Sequence, residues 1–411
     1  MLEPRSRSFR VGAVSTRLFP DRGGPATFVS GLSLALKSVG IESTVVASAV
    51  DLRRITPNED RWMFKRIPVK APAPQAGLIR QFMYSIAYFI LATLWGVFWF
   101  GKRRVDVIDA HSPPLSSLVG FSLSRLMRVP LVITLHGMVG PRFSWSKESG
   151  SRLNLRIERV LLKSAASVIA VTTDYIPIVK KLAPDTPAYQ IGSGVDTVRF
   201  SPPHSAEERM LARRDLGIDA STQVLLWVGN FDIDEKVKGV VDLLRATKIL
   251  RVGAEKPLLL LLVGSGKARN RVEELAAGLG LADRVRFVGQ RSDVPKLMRM
   301  SDVFVLVSHH EGSPSALLEA MATGLPCIAS RIGDIPRLLG DAGLLVAPGD
   351  IDDLASKMRL ILCSPDVKRE LSQKSRSRAV MRFSWNQVAR QTAEVYFKAV
   401  QPIARPKGTL G

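Results

Sequence analysis

The chain has 411 residues, 46% hydrophobic and 23% charged, which favours two or three domains with real cores and excludes a disordered chain, a collagen or a small disulfide scaffold. Cys327 and Cys363 are too few for a disulfide framework or a four-ligand zinc site. Lys and Arg outnumber Asp and Glu 58 to 37, a net charge of +21, of which residues 1–196 carry +13. That surplus suits anionic substrates, anionic lipid or nucleic acid. Nucleic acid is set aside, because the sequence carries no zinc finger, RNP-like strand or heptad basic region. The opening MLEPRSRSFR is too polar for a secretory signal, so a reducing cytoplasm is expected.

In chain order, Phe9 to Ser15 reads as a buried strand and Gly23-Gly24 as the loop after it. Pro25 to Val39 has helical spacing, with Gly40 as its stop. Ser43 to Ser48, Val105 to Asp109, Leu131 to Leu135 and Val168 to Val171 are further apolar strands. Between them, Phe82 to Phe100 is nineteen residues without a charge, flanked by Arg80 and by Lys102-Arg103-Arg104. Length alone makes it a membrane-span candidate. A crossing would separate Gly23-Gly24 from His111 and His136, which belong to one sheet, so an interfacial helix is preferred to a buried or a spanning one. Ile191 to Asp196, followed by Pro202-Pro203, is the natural junction. The pattern then repeats at Val224 to Val228, Leu258 to Val263, Val285 to Val288, Val303 to Val307 and Pro326 to Ala329. Apolar strands alternating with helices imply parallel sheets covered on both faces, hence an α/β chain of two doubly wound, Rossmann-like domains.

Ligands of such sheets bind beyond the carboxyl ends of the strands, which directs attention to Gly23-Gly24, His111, His136-Gly137, Gly229-Asn230, Gly264-Ser265-Gly266 and Glu311-Gly312. The most informative stretch is DVFVLVSHHEGSPSALLEAMATGLPCIAS, residues 302–330. Ser313 is expected to cap a helix whose first position is Pro314, leaving the N–H groups of Ser315 and Ala316 free to hold an anion such as a diphosphate. Glu319 shares their face, and its carboxylate suits ribose hydroxyls, although acidic residues near helix starts are common on solvated faces. After Val228, Lys238-Gly239 is read as opening a second helix; a lysine there is electrostatically unfavourable unless an anion is near. Asp232-Ile233-Asp234 matches a D-x-D metal motif but reads as incidental loop acids. His309-His310 lacks a third metal ligand, and Gly264-Ser265-Gly266-Lys267 lacks the spacing of a P-loop.

The spacing Glu311-x7-Glu319 within EGSPSALLEAMATGLPCIAS closely resembles the donor-site signature of retaining glycosyltransferases of family GT4. The resemblance continues through VDVIDAH, LVITLHG, IGSGVDTVRFSP, KGVVDLL, LLLVGSGKAR, RVRFVGQ and IGDIPRLLGDAGLLVAPGD, and so covers nearly the whole chain. It implies the GT-B fold, two Rossmann-like domains facing across a cleft. Residues 1–196 would form the acceptor-side domain, with a helix at about 386–400 packing back on it; 197–385 would bind the nucleotide sugar, and 401–411 would be a flexible tail. By resemblance Lys238 neutralises the donor diphosphate and Glu319 binds the ribose. Glu311, with Gly312, Ser313, Ser315 and Ala316, holds the transferred sugar and phosphate. His136 contacts the sugar hydroxyls, Gly23 and Gly24 let amides approach the reacting centre, and the Val288-Gly289-Gln290 turn frames the base, with Gly264 in a tight strand–helix turn near the nucleotide. The family usually has Gly-Arg where this chain has Gly229-Asn230, so Asn230 replaces a charged phosphate clamp with a hydrogen-bond donor, and Lys236 is available as a substitute cation. The family also often has Glu where Arg337 stands. The implied activity is hexosyl transfer, with retention, from a nucleotide-diphosphate sugar to a saccharide or lipid-linked saccharide at the inner face of an anionic membrane, without cofactor or metal. A nucleotide-sugar isomerase or epimerase and a catalytically weak binding module are the alternatives.

Overall fold

The computed structural model describes residues 8–16, 24–49, 63–70, 78–111, 114–136, 150–232, 234–250 and 257–401. The chain divides into two compact units, Met1–Ser193 with Trp385–Gly411, and Gly194–Ser384. The junction falls just before position 196, because the Val195 N–H donates to the Phe383 carbonyl (2.8 Å) and its side chain joins the second unit's core.

The first unit contains β1 (Phe9–Ser15), α1 (Gly24–Leu36), β2 (Ile41–Ala49), β3 (Phe64–Lys70), α2 (Leu78–Arg103), β4 (Val107–His111), α3 (Leu115–Met127), β5 (Leu131–Leu135), α4 (Gly150–Ser164), β6 (Ser167–Ala170), α5 (Tyr175–Leu182) and β7 (Ala188–Gln190). All its strands are parallel, in the order β3-β2-β1-β4-β5-β6-β7. β1, β4, β5 and β6 are almost wholly buried, the state that continuous Val/Ile/Leu runs require. The order reverses between β1 and β4, and the crevice at such a switch point is where a doubly wound sheet accepts ligands.

α2 joins β3 to β4 and therefore runs antiparallel to both, with Leu78 at the carboxyl edge of the sheet. Tyr88, Ala92 and Phe100 are buried, and Gly96 lies so close to Leu123 of α3 that an added methyl would sit 2.5 Å from it. This apolar helix is long enough to span a bilayer, yet one face is a wall of the domain core. The opposite face is exposed: Ile79, Phe82, Met83, Ile86, Ile90, Leu94 and Phe98 form one stripe at helical spacing.

The second unit contains α6 (Ala206–Arg214), β8 (Gln223–Val228), α7 (Asp234–Ile249), β9 (Leu258–Val263), α8 (Arg269–Gly278), β10 (Val285–Gly289), α9 (Val294–Met300), β11 (Val303–Leu306), α10 (Ser315–Ala322), β12 (Cys327–Ser330), α11 (Ile335–Leu339), β13 (Gly343–Val346), α12 (Ile351–Cys363) and α13 (Pro365–Phe383). Its six parallel strands follow the order β10-β9-β8-β11-β12-β13, with the switch point between β8 and β11. The chain then returns to the first unit as α14 (Trp385–Val400), whose Val388, Ala389, Ala393, Val395 and Tyr396 pack against Phe9, Val11 and Phe28. Position 401 is the last described residue, so the tail expected over 401–411 otherwise lies outside the described residues.

Candidate functional site

In the second unit the loops after β8, β9, β10 and β11 converge at the carboxyl edge of the sheet. The Gly264 N–H donates to the Gly289 carbonyl (2.9 Å), and Gly229 N–H to that of Val263 (3.0 Å). Gly264 has φ +148°, and a Cβ there would meet the Gly229 carbonyl oxygen at 1.9 Å, so only glycine permits this approach of two loops. Val288 is half-buried at the end of β10 and Gln290 is exposed just beyond it. The Asn230 side chain closes its own loop, Oδ1 accepting from the Asp232 N–H at 2.6 Å, while Asp232 accepts from Lys267 N–H at 2.7 Å. Of the D-x-D, Asp232 is thus a loop brace and Asp234 opens α7; Ile233 lies outside the described residues.

α7 begins at Asp234, four residues before the position expected for its start, because Asp234 and Glu235 supply the favourable first-turn charge. Lys238 is therefore one turn inside the helix, exposed to solvent. Lys236 is the inward cation: its Nζ lies 2.9 Å from Oε1 of buried Glu311. Gly239 brings α7 onto β11, where an added Cβ would be 2.1 Å from the Val307 carbonyl oxygen. His309 fastens the same junction, its N–H donating to the Glu235 carbonyl (3.1 Å) and its Nε2 lying 2.7 Å from Asp242.

α10 opens at Ser315, not at Pro314. Pro314 holds the cap position in extended conformation (φ −72°, ψ 115°) with no side-chain cap bond, so the expected Ser313 cap is absent. Ser313 Oγ is instead buried, with no hydrogen-bond partner among the described residues. It sits between Glu311 and a helix start whose first N–H groups have no intrahelical acceptor. Gly312 accepts from the Asp334 N–H (3.3 Å), and Arg337 pairs with Asp334 at 3.0 Å, which gives this departure from the family pattern a local role. Glu319 is half-buried on the next turn from Ser315 and Ala316. Burial pushes its carboxyl from 4.5 up to about 7, partly opposed by the Arg199 guanidinium. The second unit thus assembles Glu311, Gly312, Ser313, Ser315, Ala316 and Glu319 on one strand–loop–helix, with Lys236 against them.

In the first unit, His111 ends β4 and His136 follows β5. Nδ1 of His111 lies 3.0 Å from Nε2 of His136, and Nε2 of His111 is 3.3 Å from Oδ2 of Asp109. Asp109 also accepts from Thr134 (2.8 Å) and from Tyr396 of α14 (2.5 Å). Phe28 meets the His136 ring edge-on, with centroids 4.7 Å apart. Burial lowers His111 to about 3; burial and then the His111 charge hold His136 well below its ordinary range. Both rings are neutral. Asp109 is pushed up to about 7 by burial, against the hydrogen bonds from Tyr396 and Thr134. Asp109 and Tyr396 were not among the expected site residues, although a lone carboxylate inside the apolar strand Val107–His111 is a signal in the sequence. Gly24 opens α1; Gly23 and Gly137 lie outside the described residues. Among the described residues no three His, Cys, Asp or Glu side chains cluster as metal ligands.

Residues 208–378 match the family model described as glycosyl transferases group 1, and residues 23–176 match the glycosyl transferase 4-like domain. The chain is 32% identical over 311 residues to N-acetyl-alpha-D-glucosaminyl L-malate synthase of Bacillus anthracis, covering 73% of this chain and 76% of that protein. The chain belongs to the glycosyl transferases group 1 family. This glycosyltransferase is also 33% identical over 291 residues to the MMP alpha-(1->4)-mannosyltransferase of Mycolicibacterium hassiacum, covering 70% of this chain and 63% of that one. Its fold is that of sucrose-phosphate synthase from Thermosynechococcus elongatus (TM-score 0.74, 24% identity, 95% and 98% of the two chains). It is likewise that of Anabaena Alr3699/HepE in complex with UDP (TM-score 0.73, 21% identity, 94% and 99%). The glycosyltransferase therefore has the GT-B pair of Rossmann-like domains, and it is an enzyme of the hexosyltransferase type.

Proposed function

We propose that this glycosyltransferase moves a hexose, with retention, from a nucleotide-diphosphate sugar to a lipid-linked saccharide at the inner face of the cell membrane. The observation that carries the donor half is the Glu311–Glu319 strand–loop–helix, with a Ser313 hydroxyl that has no partner among the described residues, the α10 N-terminus and inward Lys236. The diphosphate rests on the α10 N–H groups and the Ser313 hydroxyl, with Lys236 and exposed Lys238 supplying positive charge; these groups meet the charge that builds as the leaving group departs. Glu319 accepts hydrogen bonds from the ribose. Glu311 is held by Lys236 and orients the sugar rather than attacking it. The acceptor oxygen bonds to the anomeric carbon on the face from which the phosphate leaves, and its proton passes to the departing phosphate oxygen. Protein cations and helix N–H groups supply the charge, so no metal is assigned a role.

The membrane half rests on α2. Its exposed stripe from Ile79 to Phe98 has Arg80 near one end and Lys102, Arg103 and Arg104 at the other. An apolar stripe bordered by cations fits an anionic bilayer surface, and it starts at the carboxyl edge of the sheet that carries His136. A thermal-shift screen of UDP-, GDP- and ADP-sugars tests the donor reading, since a ligand that binds only the folded state raises its melting temperature. No stabilisation by any of the three refutes it. His136→Ala is expected to lower turnover more than nucleotide affinity; wild-type turnover removes His136 from the reaction.

A further inference from the structure

The pair of histidines in the first unit has a direction built into it. Above the pH of about 7 at which Asp109 ionises, its carboxylate oxygen, 3.3 Å from Nε2 of His111, favours a proton on that nitrogen and disfavours a lone pair there. With His111 neutral, its Nδ1 is then an acceptor, and the 3.0 Å contact with Nε2 of His136 requires the proton to lie on His136. His136, also neutral, is left with a bare Nδ1 lone pair. Asp109 is itself held from both sides, by Thr134 of β5 and by Tyr396 of α14, so its oxygens cannot turn away from His111. Phe28 packs against both imidazoles and blocks rotation of the His136 ring.

We propose that Asp109, acting through His111, fixes His136 as the Nε2–H tautomer and so presents its Nδ1 as a hydrogen-bond acceptor for a hydroxyl of the transferred sugar. Asp109 and His111 are positioning residues; His136 is the group that meets substrate. The sugar contact rests on the donor-transfer reading above, whereas the tautomer does not. A hydroxyl that meets Nδ1 does so as the donor, whereas a ring that presented N–H there would make the same hydroxyl the acceptor.

The test is two-bond nitrogen–proton correlation spectroscopy of the full chain with nitrogen-15 histidine at pH 8, with His111→Phe and His136→Asn assigning the signals. The expected wild-type result is Nε2–H at both rings; Nδ1–H at His136 overturns the proposal without any variant. Asp109→Ala is expected to give mixed tautomers at His136, a roughly tenfold fall in kcat (~1.4 kcal/mol) and a donor KM within about twofold of wild type. His111→Phe, which keeps the ring volume against Phe28, is expected to do the same should Asp109→Ala not fold. An unchanged His136 tautomer with unchanged kcat in the folded variant overturns the relay. If His136→Ala turns over normally while the tautomer result stands, the sugar contact is wrong and the relay is right.

Discussion

Glu319→Gln separates a binding carboxylate from a structural one, because the two roles move stability in opposite directions. In the folded protein burial lifts this carboxyl from 4.5 to about 7. The folded state therefore holds the proton more tightly than the unfolded chain. Its contribution to stability is fully present below 4.5 and is lost as pH rises to about 7. At ~1.4 kcal/mol per pH unit the ionised carboxylate costs up to about 3 kcal/mol above that range. Gln keeps the shape without the charge. Glu319→Gln is thus expected to match wild type near pH 4.5 and to be more stable at pH 8 by up to about 3 kcal/mol. For a unit the size of Gly194–Ser384 that is roughly 6–12 °C in Tm. Donor binding should move the other way: hydroxyls that donate to the carboxylate favour its ionised form, so affinity rises as pH passes 7. The Gln variant loses roughly 1.5–3 kcal/mol, about 10- to 150-fold in Kd. Urea denaturation at the two pH values and calorimetric titration with the stabilising nucleotide sugar read both effects. Equal destabilisation at both pH values, or unchanged donor affinity, refutes the reasoning.

The two lysines of α7 should differ: Lys238→Ala leaves urea stability unchanged while donor affinity falls by roughly 1.5–3 kcal/mol. Lys236→Ala strands buried Glu311 and costs roughly 3 kcal/mol of stability in the same denaturation assay. Gly239→Ala drives a methyl into the Val307 carbonyl, so it should cost about 1–3 kcal/mol and raise the donor Kd by displacing α7. Combined Phe82→Ser, Ile86→Ser and Ile90→Ser substitutions on the exposed face of α2 should leave stability within about 0.5 kcal/mol per site. The same variant should abolish flotation with anionic liposomes, and retained flotation refutes the membrane reading.

The sequence reveals those parts of the fold that burial makes monotonous. Leu131–Leu135 and Leu258–Val263 are strands residue for residue as their apolar runs indicate, since a strand covered on both faces has no polar side to confuse it. The edges escaped: β3 (FKRIPVK) alternates cations with apolar residues around a proline, β7 is three residues long, and β13 begins with glycine. In the second unit the E-x7-E spacing locates the strand–loop–helix, but helix starts are decided by which residue adopts extended dihedrals. Pro314 did so in place of Ser313, and Asp234 opened α7 ahead of Lys238. The polar relay was out of reach because Tyr396 and Asp109 stand 287 residues apart, and no local pattern connects them.

The return of α14 to the first unit also sets an order on biosynthesis. Gly194–Ser384 is one uninterrupted run and has all its strands before α14 is made. The first unit, although its strands are translated earlier, keeps Phe9, Val11 and Phe28 uncovered until Trp385–Val400 has emerged. A nascent chain stalled beyond Ser384 would thus carry a finished second unit and an open, apolar first unit that chaperones recognise. Asp109 would wait in the same interval for Tyr396, so a helix translated after the whole second unit supplies its hydrogen bond.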